Sequence, residues 1–168
     1  TIRKGVSEQY AKLEMRRRHT LIGAMLIYKG YADGMICGTF GTTALHLHYI
    51  DQVLGKRAGV NVYAAMNGLI LPDRQIVLVD THVNENPTAE QLAEIAISAA
   101  SVVKAFDVVP KIAMLSFSNF GSAAYPESIK VKEAVKIVKS KMPELIIDGE
   151  MQADTAVVPE ILDKTFPF

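Results

Sequence analysis

The stretch Pro110 to Ser122, PKIAMLSFSNFGS, decides the fold. Ile112 to Leu115 are an apolar run of the length of one short strand, and Ser116-Phe117-Ser118-Asn119 then turns abruptly polar. A continuous apolar run, as opposed to an alternating one, predicts a strand of a parallel sheet covered on both faces. In open α/β sheets, the place where such a strand empties into Ser, Asn and Gly is the crevice beyond the carboxyl ends of the strands. The expected architecture is therefore α/β, with a mainly parallel mixed sheet flanked by helices.

Working outward, two further polar segments follow strand-like runs. Gln75 to Asp80 leads into Asp80-Thr81-His82-Val83-Asn84-Glu85-Asn86, and Leu145-Ile146-Ile147 leads into Asp148 to Asp154. Together with Ser118 to Ser122 they predict three polar clusters on one sheet edge, the arrangement of a ligand cleft. Hydroxyls, amides and Gly-exposed backbone suit phosphate, carboxylate or amide groups, whereas Asp148, Glu150 and Asp154 suit hydroxyl or amine donors. Between the runs, Thr88 and Gln91 form a capping box for a helix whose stripe is Leu92, Ile95, Ala96, Ala99, Val103 and Phe106. A second helix, Glu127 to Lys141, turns Val131, Ala134, Val135 and Val138 inward and leaves its lysines as a solvated face. A last helix is expected from Asp154 to Lys164. Val62 to Leu71 and Gln75 to Asp80, joined by Pro72-Asp73-Arg74, predict a hairpin that adds an antiparallel element to the sheet.

The amino-terminal third reads differently. Helices are expected over Val6 to Arg18, with Ser7 as N-cap, and over Leu21 to Lys29, stopped by Gly30. Asp33-Gly34 then leads into a short strand, Met35 to Cys37. The Gly- and Thr-rich turn Gly38 to Thr43 opens a helix that runs to Leu54 and stops at Gly55. A helix start of this kind, at Thr42 and Thr43, can hold an anion, although the Walker spacing is absent. The basic cluster Arg16-Arg17-Arg18-His19 is a solvated last turn or a contact for phosphate or a partner.

Composition removes several classes. The 168 residues support one sizeable core, and 18 basic against 18 acidic residues leave no global field for nucleic acid or an anionic membrane. A single cysteine, Cys37, excludes an internal disulfide framework and reads as a small buried hydrophobe in a reducing compartment. No apolar stretch is long enough to span a membrane, and TIRKGVSEQY carries no signal-peptide pattern, so a soluble, cytoplasmic protein is expected. No spacing supports a Ser-His-Asp assignment, a metal site or a dinucleotide fingerprint.

The blocks ADGMICG, NPTAEQLAEIAISAA, PKIAMLSFSNFGS and DGEMQADTAVVP resemble, in order and spacing, the phosphate acetyltransferase and butyryltransferase family. The resemblance implies a fold like that of isocitrate and isopropylmalate dehydrogenases, two α/β lobes around a cleft for coenzyme A and an acyl phosphate, and a homodimer. It makes residues 1–168 a phosphotransacetylase-like domain that is partial at both ends, with 1–55 as the helical part of the first lobe and 56–168 as mostly the second. SFSNFGS, DGEMQAD and the terminal TFPF are most like the carboxyl-terminal regulatory region of bacterial hybrid NADP-dependent malic enzymes. Transferases more often read S-T-G-T-S-G or S-T-K-G-S in the first block and D-G-E-L-Q in the second. Where they carry an arginine in an L-R-P triplet, this chain has His48 within Leu47-His48-Tyr49, and their final Ser-Arg segment is not in the sequence.

The resemblance thus implies a dimerising domain that senses acetyl-CoA or another acyl-CoA and has no catalytic residue of its own. Its ligand residues would be Ser118, Asn119, Gly121, Ser122, Thr42, Thr43, Asp148, Glu150, Gln152 and Asp154, with Arg16 and Arg17 as phosphate or interface contacts. The parent enzyme's own catalytic domain, a partner of this one, would convert malate to pyruvate and carbon dioxide with NADP and Mg or Mn. The alternatives are a phosphate acetyltransferase fragment, moving acetyl between acetyl phosphate and coenzyme A, and a dimerisation module without a ligand.

Overall fold

The computed structural model describes residues 5–166. Residues 1–4, at the start of TIRKGVSEQY, and Pro167-Phe168 of the TFPF block lie outside the described residues. The chain divides between Gly59 and Val60 into two compact units, each described by itself.

The first unit is helical: α1 (Glu8–Met15), α2 (His19–Tyr28) and α3 (Thr43–Val53). Ser7 caps α1 by accepting from Tyr10 N at 3.2 Å, and Thr42 caps α3 by accepting from Leu45 N at 3.3 Å. Gly30, at φ +73°, ends α2, as Gly30 N donates to Ile27 O and Tyr31 N to Leu26 O. Thr20 and Ala24 of α2 and Tyr49 of α3 are buried where the two helices pack. The strand expected at Met35 to Cys37 does not form. No described residue pairs with that segment, Ile36 is fully exposed, and Cys37 is exposed, not buried.

The second unit contains β1 (Met66–Ile70), β2 (Gln75–Val79), α4 (Ala89–Lys104), β3 (Lys111–Leu115), α5 (Pro126–Lys141), β4 (Ile146–Met151), α6 (Ala153–Val157) and α7 (Pro159–Thr165). The hairpin forms as expected, with Leu71 N donating to Arg74 O at 2.9 Å across the turn. It pairs only with itself, so the expected single mixed sheet is corrected to two two-stranded sheets among the described residues: antiparallel β1–β2 and parallel β3–β4. Helix α5 is the crossover that lets β3 and β4 run parallel. The core is built from Ala93, Ala96 and Ala100 of α4, Val131, Ala134, Val135 and Val138 of α5, and Met114, Leu145 and Ile147. The small alanines let α4 approach α5 closely.

Three further expectations change. Of Ile112 to Leu115 only Met114 is buried and Leu115 is half exposed, because successive side chains of a strand point to opposite faces: Ile112 and Met114 pack on the helical core, and among the described residues the face of Leu115 is not covered. Helix α4 ends at Lys104, which leaves Phe106 in solvent instead of on the apolar stripe. Pro159 splits the expected last helix into α6 and α7, since the residue before a proline is driven out of the helical region, as Val158 is at φ −115°, ψ 99°.

β4 also runs four residues further than the apolar run, through Asp148 to Met151. Its register with β3 slips: Met114 faces Gly149, but Leu115 faces Met151, which makes Glu150 the extra residue of a bulge. The bulge explains why Glu150 and Met151 are both buried, against strand alternation.

Two predictions follow from this packing. A Cβ on Gly149, where φ is +134°, would stand 2.5 Å from Met114 O, so Gly149→Ala should lower the unfolding free energy by about 1–3 kcal/mol in urea titration. The second concerns Glu94, whose carboxylate accepts from Asn61 N, Asn61 Nδ2 (2.9 Å) and Val62 N (3.3 Å). Desolvation pushes this carboxyl up, but the three donors outweigh it and hold it below the ordinary carboxylate range. A lowered folded-state value means that the tether stabilises above the unfolded pKa and is lost as pH falls through the folded one. The protection of the Asn61 and Val62 amides, taken as the ratio of the intrinsic to the observed exchange rate at each pH, should fall on acidification, and in Glu94→Gln it should be low already at neutral pH.

Candidate functional site

The loop after β3 is fastened to the end of β4 by side chains that the sequence places 32 or so residues apart. Glu150, 1% exposed, accepts through Oε1 from Gly121 N and from the Ser118 hydroxyl at 3.3 Å. Its main-chain carbonyl accepts from Phe120 N at 2.8 Å. Ser118 is fully buried, and its oxygen also accepts from Ala123 N at 3.1 Å and lies 3.3 Å from that of Ser122. Ser122 Oγ in turn accepts from Asn119 N at 3.0 Å. The chain reverses through Phe120 at φ +48° and Gly121 at φ +89°.

A second set of bonds joins Asn119 and Gln152. Asn119 Oδ1 accepts from Gln152 N at 2.7 Å, Asn119 Nδ2 donates to Gln152 Oε1 at 3.2 Å, and Gln152 Nε2 donates to Phe117 O at 2.7 Å. Downstream, Ser128 Oγ donates to Ala123 O at 2.5 Å and accepts from Tyr125 N at 3.2 Å, fixing the entry to α5. The result is a rigid polar rim in which Gly121, Ser122 and Gln152 reach solvent while Ser118 and Glu150 do not.

The expected residues therefore fall into groups. Ser118, Asn119, Gly121, Ser122, Glu150 and Gln152 come together. Asp148 does not join them: it is an exposed strand residue paired with Lys139 Nζ at 3.2 Å. Asp154 is exposed and accepts from Thr155 N at 2.8 Å, a local turn contact. The third expected cluster is corrected too, since Asp80 to Asn86 follows the hairpin and not the parallel sheet. Asn84 Nδ2 donates to Asp80 Oδ1 and to Tyr63 O, both at 2.7 Å, and Asn86 Oδ1 accepts from Lys130 Nζ of α5 at 2.6 Å. Thr42 and Thr43 belong to the first unit, the former as the α3 cap. Arg16 closes α1 as its C-cap, and Arg17 lines a cavity of the first unit.

One group at the rim was read from the sequence as part of a solvated lysine face. Lys132 Nζ lies 3.7 Å from the place a Cβ on Gly121 would occupy, which sets an ammonium beside the loop. Its i+4 spacing from Ser128, which anchors the loop to α5, is the signal that points to it. Glu150 Oε2 and the buried Thr155 Oγ1 have no hydrogen-bond partner among the described residues. No three His, Cys, Asp or Glu side chains among the described residues gather as a metal site. No described helix is long and apolar enough to cross a membrane.

Comparison with known proteins places this architecture. The model of the family described as phosphate acetyl/butaryl transferase matches residues 1–168. An NADP-dependent malic enzyme of Salmonella typhimurium is 44% identical over 165 residues, 98% of this chain but 22% of the enzyme. A phosphate acetyltransferase of Bacillus subtilis is 40% identical over 164 residues, 98% of this chain and 50% of that protein. A crystal structure of a phosphotransacetylase from Streptococcus pyogenes superposes with a TM-score of 0.84 at 37% identity, over 99% of this chain and 51% of that one. The chain thus spans between about a fifth and a half of the relatives it matches. It belongs to the phosphate acetyl/butaryl transferase family.

Proposed function

We propose that the chain is a dimerising, acyl-CoA-sensing region of an NADP-dependent malic enzyme, and that acetyl-CoA is its ligand. Malate oxidation, NADP and a divalent Mg or Mn ion belong in this reading to a separate catalytic domain, and the chain works in the cytoplasm. The observation that carries it is His48. It stands where the family's transferases are expected to hold an arginine, and its Nε2 lies 2.9 Å from Gln52 Nε2, with its ring edge-on to Tyr49. An imidazole so held offers no bidentate fork to a transferring acyl phosphate. In the rim, the Glu150 carboxyl and the buried Ser118 hydroxyl are engaged with each other and hold the loop. What remains outward, the Ser122 hydroxyl, the Gln152 amide and the Lys132 ammonium, suits carbonyls and amides of an acyl-pantetheine arm.

Binding regulates only if acetyl-CoA binds one state of the whole enzyme better than the other. The acetyltransferase reading is the alternative, favoured by the 40% identity to the Bacillus subtilis enzyme.

In the full-length enzyme, Asn119→Ala and Gln152→Ala should each raise the acetyl-CoA concentration for half-inhibition of malate oxidation by about two- to tenfold, the value of one neutral hydrogen bond. Each variant's turnover without acetyl-CoA serves as its reference. Inhibition unchanged in both would remove the rim as the sensing site. The purified 168-residue chain should form no acetyl-CoA from acetyl phosphate and coenzyme A. A rate above that of the heat-inactivated chain would instead establish the transferase reading.

A further inference from the structure

Helix α5 carries five lysines, and their partners differ. Lys130 Nζ donates to Asn86 Oδ1 at 2.6 Å, Lys136 Nζ lies 3.4 Å from Glu133 Oε2, and Lys139 Nζ lies 3.2 Å from Asp148 Oδ1. Lys141 acts through its charge on the Glu90 and Glu94 carboxylates. Lys132 is exposed, and its Nζ has no hydrogen bond or ion pair among the described residues.

Packing fixes where this amine stands. Val131 beside it is buried in the core, and Ser128, one turn earlier, donates to Ala123 O and accepts from Tyr125 N. The tip of the Lys132 side chain meets the loop at Gly121, with Nζ 3.7 Å from the place a Cβ there would occupy. Gly121 is itself pinned, because its N–H donates to Glu150 Oε1. On the same loop, Asn119 is bonded to Gln152, whose Nε2 gives one of its two hydrogens to Phe117 O at 2.7 Å. The other hydrogen remains for a ligand carbonyl.

We propose that Lys132 is a self-acylation site, which takes the acyl group from a thioester held at the rim; this rests on the reading that the rim receives the acyl end of acetyl-CoA. Nζ first gives a proton to water, and its lone pair then attacks the thioester carbonyl carbon. The carbon–nitrogen bond forms as the carbon–sulfur bond breaks, and the electron pair leaves on the sulfur of coenzyme A. The thiolate takes the proton that the new amide nitrogen sheds. Nothing is oxidised or reduced, and the products are an Nζ-acyl-lysine and free coenzyme A. A thioester held beside the amine reacts in an effectively unimolecular step, which outruns attack by lysines that meet it only in collisions. The reaction turns an ammonium of the rim into a neutral amide.

Mass spectrometry of the full-length protein, digested after timed incubation with acetyl-CoA, reads the acetylation rate of each α5 lysine. Lys132 should be acetylated about tenfold faster than Lys130 or Lys136, at a rate that saturates in acetyl-CoA. Gln152→Ala should lower the Lys132 rate about two- to tenfold, the value of one neutral hydrogen bond, and leave Lys130 and Lys136 unchanged. Acetyl phosphate, which has no pantetheine arm, should acetylate the three lysines alike. Equal rates with acetyl-CoA, a Lys132 rate that never saturates, an unchanged rate in Gln152→Ala, or the same preference with acetyl phosphate would each overturn the proposal. Hydrogen–deuterium exchange and malate oxidation on the same samples separate self-acylation from sensing. Acetyl-CoA that slows exchange at the rim and inhibits, while Lys132 stays unmodified, overturns self-acylation alone. Selective, saturable labelling of Lys132 with malate oxidation unaffected upholds self-acylation and removes sensing.

Discussion

A carboxylate buried at a strand bulge is the constraint on which the second unit turns. Glu150 takes the amide of Gly121 and the hydroxyl of Ser118 on one oxygen, in a place from which water is excluded. Burying a carboxyl group costs free energy unless donors meet it, so the loop and the strand end are bound to one arrangement. The bulge aims the side chain under the loop, and Gly149 makes the bulge possible because the Met114 carbonyl leaves no room for a Cβ. Ser118 and Ser122 then carry the constraint to Asn119, and Asn119 to Gln152. The rim is a network, and each member orients the next.

Beneath it lies an ordinary core. Alanines on α4 face valines on α5, and the two helices cover the inner residues of β3 and β4. The loop therefore departs from a rigid base, which is how a short polar segment holds defined donors and acceptors. Acetyltransferases and malic enzymes both share this sequence pattern with the chain, and a common fold does not select between their chemistries. The proposed distinction rests on one group, the imidazole at position 48.

Features specified by neighbours along the chain were legible in the sequence. Thr88 and Gln91 form their reciprocal caps, Gly30 ends α2, and Pro72-Asp73 turns the hairpin. Features set by distant partners were not. Met35 to Cys37 has strand-like residues but no strand partner among the described residues, and the apolar Ile112 to Leu115 does not reveal that β3 has one strand neighbour among them. The polar letters of Asp148-Gly149-Glu150 hide a strand, because a bulge abolishes the alternation by which strands are recognised. The grouping of Ser118 to Ser122 with Glu150 and Gln152 was visible as two polar strand ends. The separation of Asp80 to Asn86 from them depends on a sheet that splits in two, which no local pattern records. Lys132 looked like any surface lysine until α5 placed it beside Gly121.

In the proposed reading, the rim formed by residues 117–123 and 150–155 receives the acyl end of acetyl-CoA, and this regulates the whole enzyme. Hydrogen–deuterium exchange of the full-length enzyme, with and without saturating acetyl-CoA, tests it most directly. Slower exchange is expected in both segments when acetyl-CoA is present, with a further change in peptides of the malate-oxidising domain. Exchange that is unaltered in both segments while acetyl-CoA still inhibits would contradict it.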